Sequence, residues 1–299
     1  MAGAMNQGNW TYFVQKDLSE HFAVEYGDWQ SMIGALFTQK TPDQAIVYEA
    51  LVGDLGDVGV FDGEISYDES KQSYRKSVEE IEYALGLKVT KKLRRNDLYG
   101  IVQKQVRLLA QRFRAKREGI AAGVFNGAFG VTTVADALSL CNDAHTSDVG
   151  GSNQDNSGTS AFSPANVEAT RRLMIQLKTN RDNIQNATFP DTLLVPTNLE
   201  EQAYELIKTK GKVDTAQNNV NFHEGKYKLA VWHNWLTDQN NWFMINQKKM
   251  KEELSWYEWN PVEFFYAGEF DTLVSKHAGY MSVNVSAVDW RWLFGHAVS

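Results

Sequence analysis

The strongest constraint on the fold is a long apolar repeat that begins near residue 98. Its apolar side chains mostly recur three, four or seven positions apart: Leu98, Ile101, Val102, Val106, Leu109, Phe113, Ile120 and Val124. This spacing places them on one face of an α-helix. Asn96 or Asp97 can cap the start of this helix, and Gly127 provides a stop after Asn126. The sequence therefore predicts a helix of about thirty residues, a rod of about 45 Å.

Two segments before the helix have the character of β-strands. Residues 45–52 are mostly apolar and lie between Pro42 and Gly53, which is typical of a bounded strand. From Ile81 to Val89, apolar and polar residues alternate with the period of a half-buried strand. The acidic, glycine-rich stretch between them has little preference for regular structure. We predict one long two-stranded arm, which needs a surface to lie on because a lone hairpin is marginally stable.

The net charge of −7 hides a strong asymmetry along the chain. Residues 41–70 contain eight acidic side chains and no lysine or arginine, whereas residues 71–117 contain fourteen basic and four acidic ones. The predicted exposed face of the long helix is basic, with Lys104, Arg107, Arg114 and Arg117. The negative total argues against a chain that binds nucleic acid over its whole surface, since such proteins need a basic footprint.

The C-terminal half contains separate helices and strands without a repeating strand–helix unit. Ser163 and Pro164 are typical of a helix start, and this helix is predicted to run to about Lys178. A second helix is predicted to be capped by Asn198, with Leu199, Ala203, Leu206 and Ile207 on its inner face. Strands are predicted at residues 192–195, 226–232, 242–245, 280–285 and 290–294. This segregated order indicates the α+β class.

Seven of the nine tryptophans lie between residues 232 and 292. Aromatic side chains are enriched at stable protein interfaces as well as in cores. We expect core packing to account for most of these tryptophans and subunit contacts for about a third of them.

Residues with catalytic potential are few. The chain has none of the spacings of a phosphate-binding loop, a nucleophile elbow or a zinc protease. Cys141 is the single cysteine, so no disulfide can form within the chain. Cys141, Asp143 and His145 could share a metal, but a zinc site needs three or four rigidly placed ligands. We expect a buried thiol and a hydrogen-bonded histidine, with no catalytic, cofactor-binding or metal-binding residue and no cofactor.

Membrane insertion and secretion have no support in the sequence. The chain lacks an apolar run of about 18 residues, which a spanning helix needs. Residues 1–10 have neither a basic start nor an apolar core, so they do not form a secretory signal. We expect no membrane partner.

The order of the predicted elements, with three short motifs, resembles a known family. An N-terminal arm, a long β-arm, a long helix, an α/β region and closing strands resemble the HK97-like capsid fold of tailed bacteriophages. The motifs are similar to those of the phage Mu-type major head subunit: residues 98–102 (LYGIV), 135–145 (ADALSLCNDAH) and 289–296 (DWRWLFGH). The chain departs from this pattern at Ala137, where relatives often place glycine.

The resemblance implies a division of the chain into five parts. Residues 1–43 would form the N-terminal arm and residues 44–90 the extended hairpin called the E-loop. Residues 91–162 would form the P-domain with its spine helix, residues 163–250 the A-domain, and residues 251–299 the closing P-domain strands.

The resemblance also implies a structural function. The chain would be a major capsid protein of the virion, not an enzyme. Its copies would assemble as hexamers and pentamers into an icosahedral shell around double-stranded DNA, in the cytoplasm of the host bacterium. Its partners would be other copies of itself, scaffolding, portal and decoration proteins, and the packaged DNA through non-specific contacts.

For such a shell, we predict that the acidic part of the arm meets basic residues of a neighbouring copy. The acidic residues are Asp54, Asp57, Asp62, Glu64, Asp68 and Glu69. The basic residues are Arg75, Lys76, Lys91, Lys92, Arg94 and Arg95. The alternative is that both sets form solvated charged surfaces.

Three other functions stay open on the sequence alone. An encapsulin-type nanocompartment shares the capsid fold but encloses cargo enzymes. A tail protein or another structural protein of the virion would differ in the shape of its particles. A metal-dependent hydrolase would use Cys141, Asp143 and His145.

Overall fold

The computed structural model describes most of the chain. The described residues are 18–27, 31–55, 58–61, 63, 65, 67–69, 72–96, 100–147, 150–183, 188–211, 220–269 and 273–298. Residues 1–17 of the predicted arm and the candidate helix cap Asp97 lie outside them. Residues 18–27 are helical (α1), and a short helix, α2, follows at Ile33–Leu36.

A four-stranded sheet forms one half of the body, in the order β1-β9-β10-β4. Its strands are β1 (Thr38–Lys40), β4 (Glu82–Thr90), β9 (Leu254–Glu269) and β10 (Val274–Ala287). Strand β1 is parallel to β9, whereas β10 is antiparallel to both β9 and β4. The predicted strand at residues 280–285 lies within β10.

The long helix α4 (Ile101–Asn126) packs against this sheet. Val106, Ala110 and Phe113 are buried on its inner face, as the apolar spacing predicts. The helix ends as predicted, where the N–H of Gly127 donates to the carbonyl of Gly123 at 2.9 Å. At 26 residues it is about 39 Å long.

The predicted start of α4 is wrong. The residue before the helix is Gly100, with a φ of 63° and no side-chain cap. This left-handed conformation suits glycine because glycine has no Cβ. Asn96 instead follows a separate short helix, α3 (Lys91–Arg95), whose N-cap is Thr90.

Two of the arginines predicted to be exposed on α4 are engaged within the subunit. Arg114 pairs with Glu25 of α1 at 3.2 Å, and Arg117 pairs with Glu258 of β9. The ring of Phe22 in α1 also lies 5.0 Å from that of Phe264. The basic face is therefore narrower than predicted, because α1 and β9 cover part of it.

A five-stranded sheet forms the other half of the body, in the order β5-β11-β8-β6-β7. Its strands are β5 (Ser157–Gly158), β6 (Thr192–Val195), β7 (Lys228–Val231), β8 (Trp242–Ile245) and β11 (Leu293–His296). Strands β6 and β8 have the predicted bounds and are fully buried. The predicted strand at residues 290–294 begins three residues later, at Leu293.

Three helices accompany this sheet. Helix α5 (Pro164–Ile175) begins as predicted, with Ser163 accepting from the N–H of Asn166 at 3.3 Å. Helix α6 (Glu200–Lys208) follows a 3₁₀ turn at Thr197–Leu199, so the predicted cap at Asn198 is wrong. Helix α7 (Gln247–Glu253) leads into β9. No helix among the described segments is long and apolar enough to cross a membrane.

The remaining two strands form a separate hairpin, β2 (Ile46–Val52) and β3 (Gln72–Glu79). The predicted pairing of residues 45–52 with Ile81–Val89 is therefore wrong. Strand β4 pairs with β10 instead. This pairing buries Val89 of β4 in the core together with apolar side chains of α4. The polar sequence of β3 gave no clear alternation, so this strand was not predicted.

Candidate assembly surface

The base of the β2–β3 hairpin is held against its own chain by polar contacts. Glu49 and Lys76 lie opposite each other in the hairpin register. The Lys76 ammonium donates to the backbone carbonyls of Thr133 and Ala287, at 2.6 and 3.2 Å. Burial lowers the pKa of Lys76. The sequence predicted that the arm needs a surface to lie on. At Lys76, that surface is formed by residues of the same subunit.

Glu49 forms the second attachment of the hairpin. Its carboxylate accepts a hydrogen bond from the Tyr257 hydroxyl of β9 and lies 3.4 Å from the Lys40 ammonium. Burial and this carboxylate raise the pKa of Tyr257. The second carboxylate oxygen of Glu49 is buried with no hydrogen-bond partner among the described residues.

A cleft of about 610 Å³ lies between the hairpin and the body. Glu253 and Asp289 are among the residues that line it, together with Ala50 and Tyr74 of the hairpin. Burial, followed by the Asp289 carboxylate, raises the pKa of Glu253 to about 7. A carboxyl group that titrates near neutrality therefore lies under the hairpin.

The described acidic residues of the arm contact a loop of the same subunit. The Asp68 carboxylate pairs with Arg181 at 2.6 Å, and the same guanidinium donates to the carbonyl of Glu69 at 3.4 Å. The Asn183 amide donates to the Asp54 carboxylate at 3.3 Å. The other three predicted acidic residues, Asp57, Asp62 and Glu64, lie outside the described residues.

The predicted basic residues divide into engaged and exposed ones. Lys76 is engaged as described above, and the Arg75 guanidinium lies 5.5 Å from the centre of the Tyr48 ring. Lys91, Lys92 and Arg95 are exposed on α3. The side chain of Arg94 lies outside the described residues. Within the subunit, the described acidic side chains Asp54 and Asp68 therefore contact Asn183 and Arg181. The lysines of α3 remain exposed.

Sequence reasoning missed an apolar surface at the distal end of the hairpin. Val58, Val60, Phe61 and Tyr67 are 94%, 96%, 71% and 90% exposed. Large apolar side chains at this level of exposure on one segment are typical of an interaction site. The sequence does contain a signal for this surface, because valine, phenylalanine and tyrosine occur within the acidic segment. The sequence analysis considered only the charge and the glycines of that segment.

His145 lies in a buried hydrogen-bonded cluster behind the hairpin. Its Nδ1 lies 2.7 Å from the Asp136 carboxylate and its Nε2 lies 3.1 Å from the amide oxygen of Asn156. Its ring stacks on Trp290 with a centroid distance of 4.3 Å. The prediction of a hydrogen-bonded histidine is confirmed.

Cys141 is buried as predicted, and burial raises the pKa of its thiol. Within the described ranges, no three histidine, cysteine, aspartate or glutamate side chains are grouped so that they could hold a metal. His145 uses both of its ring nitrogens for Asp136 and Asn156. This part of the chain therefore has the geometry of a packed core.

Most of the clustered tryptophans also belong to the core. Five of the seven are buried within the subunit: Trp232, Trp242, Trp256, Trp290 and Trp292. Trp259 is half-buried, and its indole N–H donates to the Gln44 carbonyl at 2.6 Å, beside the start of the hairpin. The expectation that core packing accounts for most tryptophans is confirmed.

A family model described as "Phage capsid protein" matches residues 75–295, which is more than half of the chain. The chain belongs to the phage capsid protein family. It is therefore a structural protein of the virion, as the sequence resemblance implied. A comparison with curated proteins finds no match.

Solved capsid structures share the fold of this capsid protein. The mature capsid of bacteriophage PhiM1 matches with a TM-score of 0.58 and 10% identity, over 91% of this chain and 88% of that chain. The capsid of a native GTA particle matches with 0.58 and 9%, over 90% and 91%. A virus-like particle from Pyrococcus furiosus matches with 0.54 and 9%, over 94% and 98%.

These similarities confirm the predicted HK97-like α+β fold of the capsid protein. They do not single out the Mu-type group, which stays a prediction. The five-part division of the chain also stays a prediction.

Proposed function

We propose that this capsid protein assembles with copies of itself, as hexamers and pentamers, into an icosahedral shell that encloses double-stranded DNA. Its role in that shell is structural and not catalytic. One observation carries the proposal: polar contacts hold the hairpin to its own subunit through Lys76, Asp54 and Asp68, whereas the apolar residues Val58, Val60, Phe61 and Tyr67 stay exposed. These exposed side chains do not stabilise a monomer, because apolar surface contributes to stability only when another surface covers it.

The magnitude of the apolar term supports assembly. Burying one large apolar side chain is worth about 1.5–3 kcal/mol. Each copy in a closed shell would bury such a segment and receive another. Repetition of these contacts over many copies makes the shell stable although each contact is modest.

Charge pairing between copies is the second part of the proposal. The acidic part of the arm would meet Lys91, Lys92, Arg94 and Arg95 of a neighbour. The exposure of Lys91, Lys92 and Arg95 supports this, since these side chains are available to a second subunit. Each exposed pair contributes only about 0–1 kcal/mol, so misplaced subunits can dissociate. A solvated charged surface is the alternative.

Further partners follow from the same function. We infer that scaffolding, portal and decoration proteins contact the shell, and that assembly takes place in the cytoplasm of the host bacterium. The inner surface of the shell would contact the packaged DNA without sequence specificity. The exposed Lys104, Arg107, Arg112 and Lys116 of α4 support such contacts, although the chain as a whole is acidic.

A charge-reversal variant tests the pairing. Replacing Lys91, Lys92, Arg94 and Arg95 with glutamate should leave the circular dichroism spectrum of the subunit unchanged and abolish shells in electron micrographs. A matched control replaces four exposed lysines elsewhere: Lys208, Lys210, Lys248 and Lys251. The control should still form shells, and normal shells from the first variant would refute the pairing.

An encapsulin-type nanocompartment is the second candidate. The fold match to the virus-like particle covers 94% of this chain and 98% of that chain. This match supports the nanocompartment as an alternative function. Particles purified from an infected or expressing cell distinguish the two functions. Nuclease-protected double-stranded DNA inside them supports the phage shell, whereas a stoichiometric protein cargo supports the nanocompartment.

A further inference from the structure

A loop between α5 and β6, residues 179–183, is held in a defined shape within the subunit. The N–H of Thr179 donates to the carbonyl of Asn183 at 3.0 Å, which closes the loop on itself. The Asp182 carboxylate accepts from the N–H and the hydroxyl of Ser152, at 2.8 and 2.7 Å, which ties the loop to the body. Because these bonds order the loop, it is a preorganised binding surface.

The loop contacts the hairpin segment that follows β2. The side-chain oxygen of Asn180 accepts a hydrogen bond from the N–H of Asp54 at 3.1 Å. The Asn183 amide donates to the Asp54 carboxylate at 3.3 Å and to the carbonyl of Leu55 at 3.0 Å. Backbone groups of the hairpin are therefore held as well as a side chain.

The same loop contacts the hairpin segment that precedes β3. The Arg181 guanidinium donates to the Asp68 carboxylate at 2.6 Å and to the carbonyl of Glu69 at 3.4 Å. Only 18% of the Arg181 side chain is exposed, so the donor is itself well fixed. The loop therefore holds both sides of the hairpin, at residues 54–55 after β2 and at residues 68–69 before β3.

These contacts differ from those at the paired strands of the hairpin. There, Val78 is buried and Lys76 donates to two backbone carbonyls of the body. At the loop, the Asp68 side chain is 46% exposed, and no described residue from 54 to 69 belongs to the apolar core. Polar contacts at the surface are readily exchanged for water or for another polar partner, because their net contribution is small. The loop can therefore release the hairpin while its paired strands stay attached.

The loop and a neighbouring subunit would compete for the same carboxylate. Asp68 belongs to the acidic set that is proposed above to pair with basic residues of a neighbour, among them Lys91 and Lys92. The Arg181 guanidinium already neutralises the charge of Asp68 within the subunit. Contact with the loop therefore works against contact with the neighbour.

We propose that residues 179–183 are a latch, which holds the hairpin on its own subunit and delays its contact with a neighbour. The closed latch keeps the acidic segment on the free subunit, so that subunits do not join at every encounter. The open latch makes Asp54 and Asp68 available to a second copy. The proposal rests on the assembly function proposed above and adds to it a contact that regulates the rate of assembly.

An opened latch in the full-length chain is the first test. Arg181→Gln with Asn183→Ala removes polar contacts on both sides of the hairpin. The control, Lys210→Gln with Asn153→Ala, makes the same change in charge at exposed positions. Light scattering then follows shell formation at equal protein concentration.

The latch variant should form shells about fivefold faster than the control, because loss of an exposed ion pair and its neighbouring hydrogen bonds raises the population of open subunits by about this factor. Equal rates, or slower assembly of the latch variant, would overturn the proposal.

A covalently closed latch is the second test. Cysteines replace Asp68 and Arg181, and a bis-methanethiosulfonate reagent links them within the subunit. Cys141 is buried and does not compete for the reagent. The linked chain should form no shells until a reductant opens the link, whereas the same variant without the reagent should assemble. Shells formed by the linked chain before reduction would refute the latch.

Hydrogen exchange separates a failure of the latch from a failure of the proposed shell. Residues 54–55 and 67–69 should take up deuterium faster in the Arg181→Gln, Asn183→Ala variant than in the control, because the loop no longer holds them. Faster uptake in a chain that forms no shells supports the latch and refutes the shell. Equal uptake refutes the latch, whether or not shells form.

Discussion

The Lys76 ammonium donates a hydrogen bond across 3.2 Å to the carbonyl of Ala287, and this contact ties the hairpin to the end of β10. A second bond from the same ammonium reaches Thr133 at 2.6 Å. Directional polar contacts thus hold the hairpin to its own subunit at Lys76 and, farther along, at Asp54 and Asp68, whereas Val58, Val60, Phe61 and Tyr67 are exposed to solvent. We therefore propose two roles for the hairpin: polar attachment within its own subunit and apolar contact with a neighbouring one.

Replacing Lys76 with methionine should loosen the hairpin. The variant keeps most of the side-chain volume but loses both hydrogen bonds, and charged hydrogen bonds of this kind contribute about 1.5–3 kcal/mol. Hydrogen exchange of residues 46–79 should accelerate, with little change in β6 and β8. Lys88→Met, at an exposed position of β4, is the control. Unchanged exchange in the Lys76 variant would show that other contacts fix the hairpin.

Stability should fall as the pH rises through neutrality, because of Glu253. Its pKa is raised from 4.5 to about 7, first by burial and then by Asp289, with smaller contributions from Glu252 and Glu49. Lys249, on the same helix, is also close enough to interact with Glu253. A carboxyl group with a raised pKa favours the folded state while it is protonated. This contribution is complete below about pH 4.5 and is lost as the pH rises through about 7.

Urea unfolding between pH 4.5 and pH 8 measures this effect, with Glu253→Gln as the comparison. The glutamine variant should show a flatter dependence of the free energy of unfolding on pH. Glu201→Gln, at an exposed position of α6 that is not among the groups that raise the pKa of Glu253, should keep the dependence of the original chain. The same slope in all three proteins would mean that another group is responsible.

Asn156 should be one of the most sensitive positions outside the hairpin. Its amide donates to the carbonyls of Leu140 and Leu293 at 2.9 and 3.1 Å, and the residue is fully buried. Asn156→Ala leaves both buried carbonyls without this donor, so we expect a loss of about 2–4 kcal/mol. Asn153→Ala, at an exposed position, should change stability by less than about 0.5 kcal/mol. Equal losses in thermal or urea unfolding would contradict this assignment.

Replacing Ala137 with glycine should stabilise the folded subunit. Its φ is 63°, in the left-handed region that favours glycine. We expect Ala137→Gly to raise the free energy of unfolding by about 0.5–1 kcal/mol. Ala135→Gly, at a residue without a positive φ, should lower it by a similar amount. A loss of stability in the Ala137 variant would refute the strain argument.

The sequence predicted those elements whose signals are local. Strands β6 and β8 are short apolar runs, and their bounds are as predicted. The end of α4 at Asn126 was also predicted, since Gly127 is a local stop. Strand pairing is not local. The alternation of β4 indicates a strand, but its partner β10 lies nearly two hundred residues away, so no local pattern distinguishes β10 from β2 as the partner.

The candidate surface was predicted only in part, for a related reason. Charge is visible in the sequence, so the acidic and basic sets could be named. Whether Arg114 is exposed depends on Glu25 of α1, which only the folded chain brings near it. The distal apolar residues of the hairpin were overlooked because the segment was interpreted by its charge and glycine content. Exposure of an apolar side chain is a property of the tertiary structure.

Electron microscopy of the purified, overexpressed chain tests the central claim most directly. The account predicts closed shells of uniform diameter, formed by a subunit whose hairpin end is covered by its neighbours. Analytical ultracentrifugation of the same sample should show a large particle in place of the 33.8 kDa monomer. A chain that stays monomeric at high concentration, with residues 58–61 still exposed to protease, would contradict it.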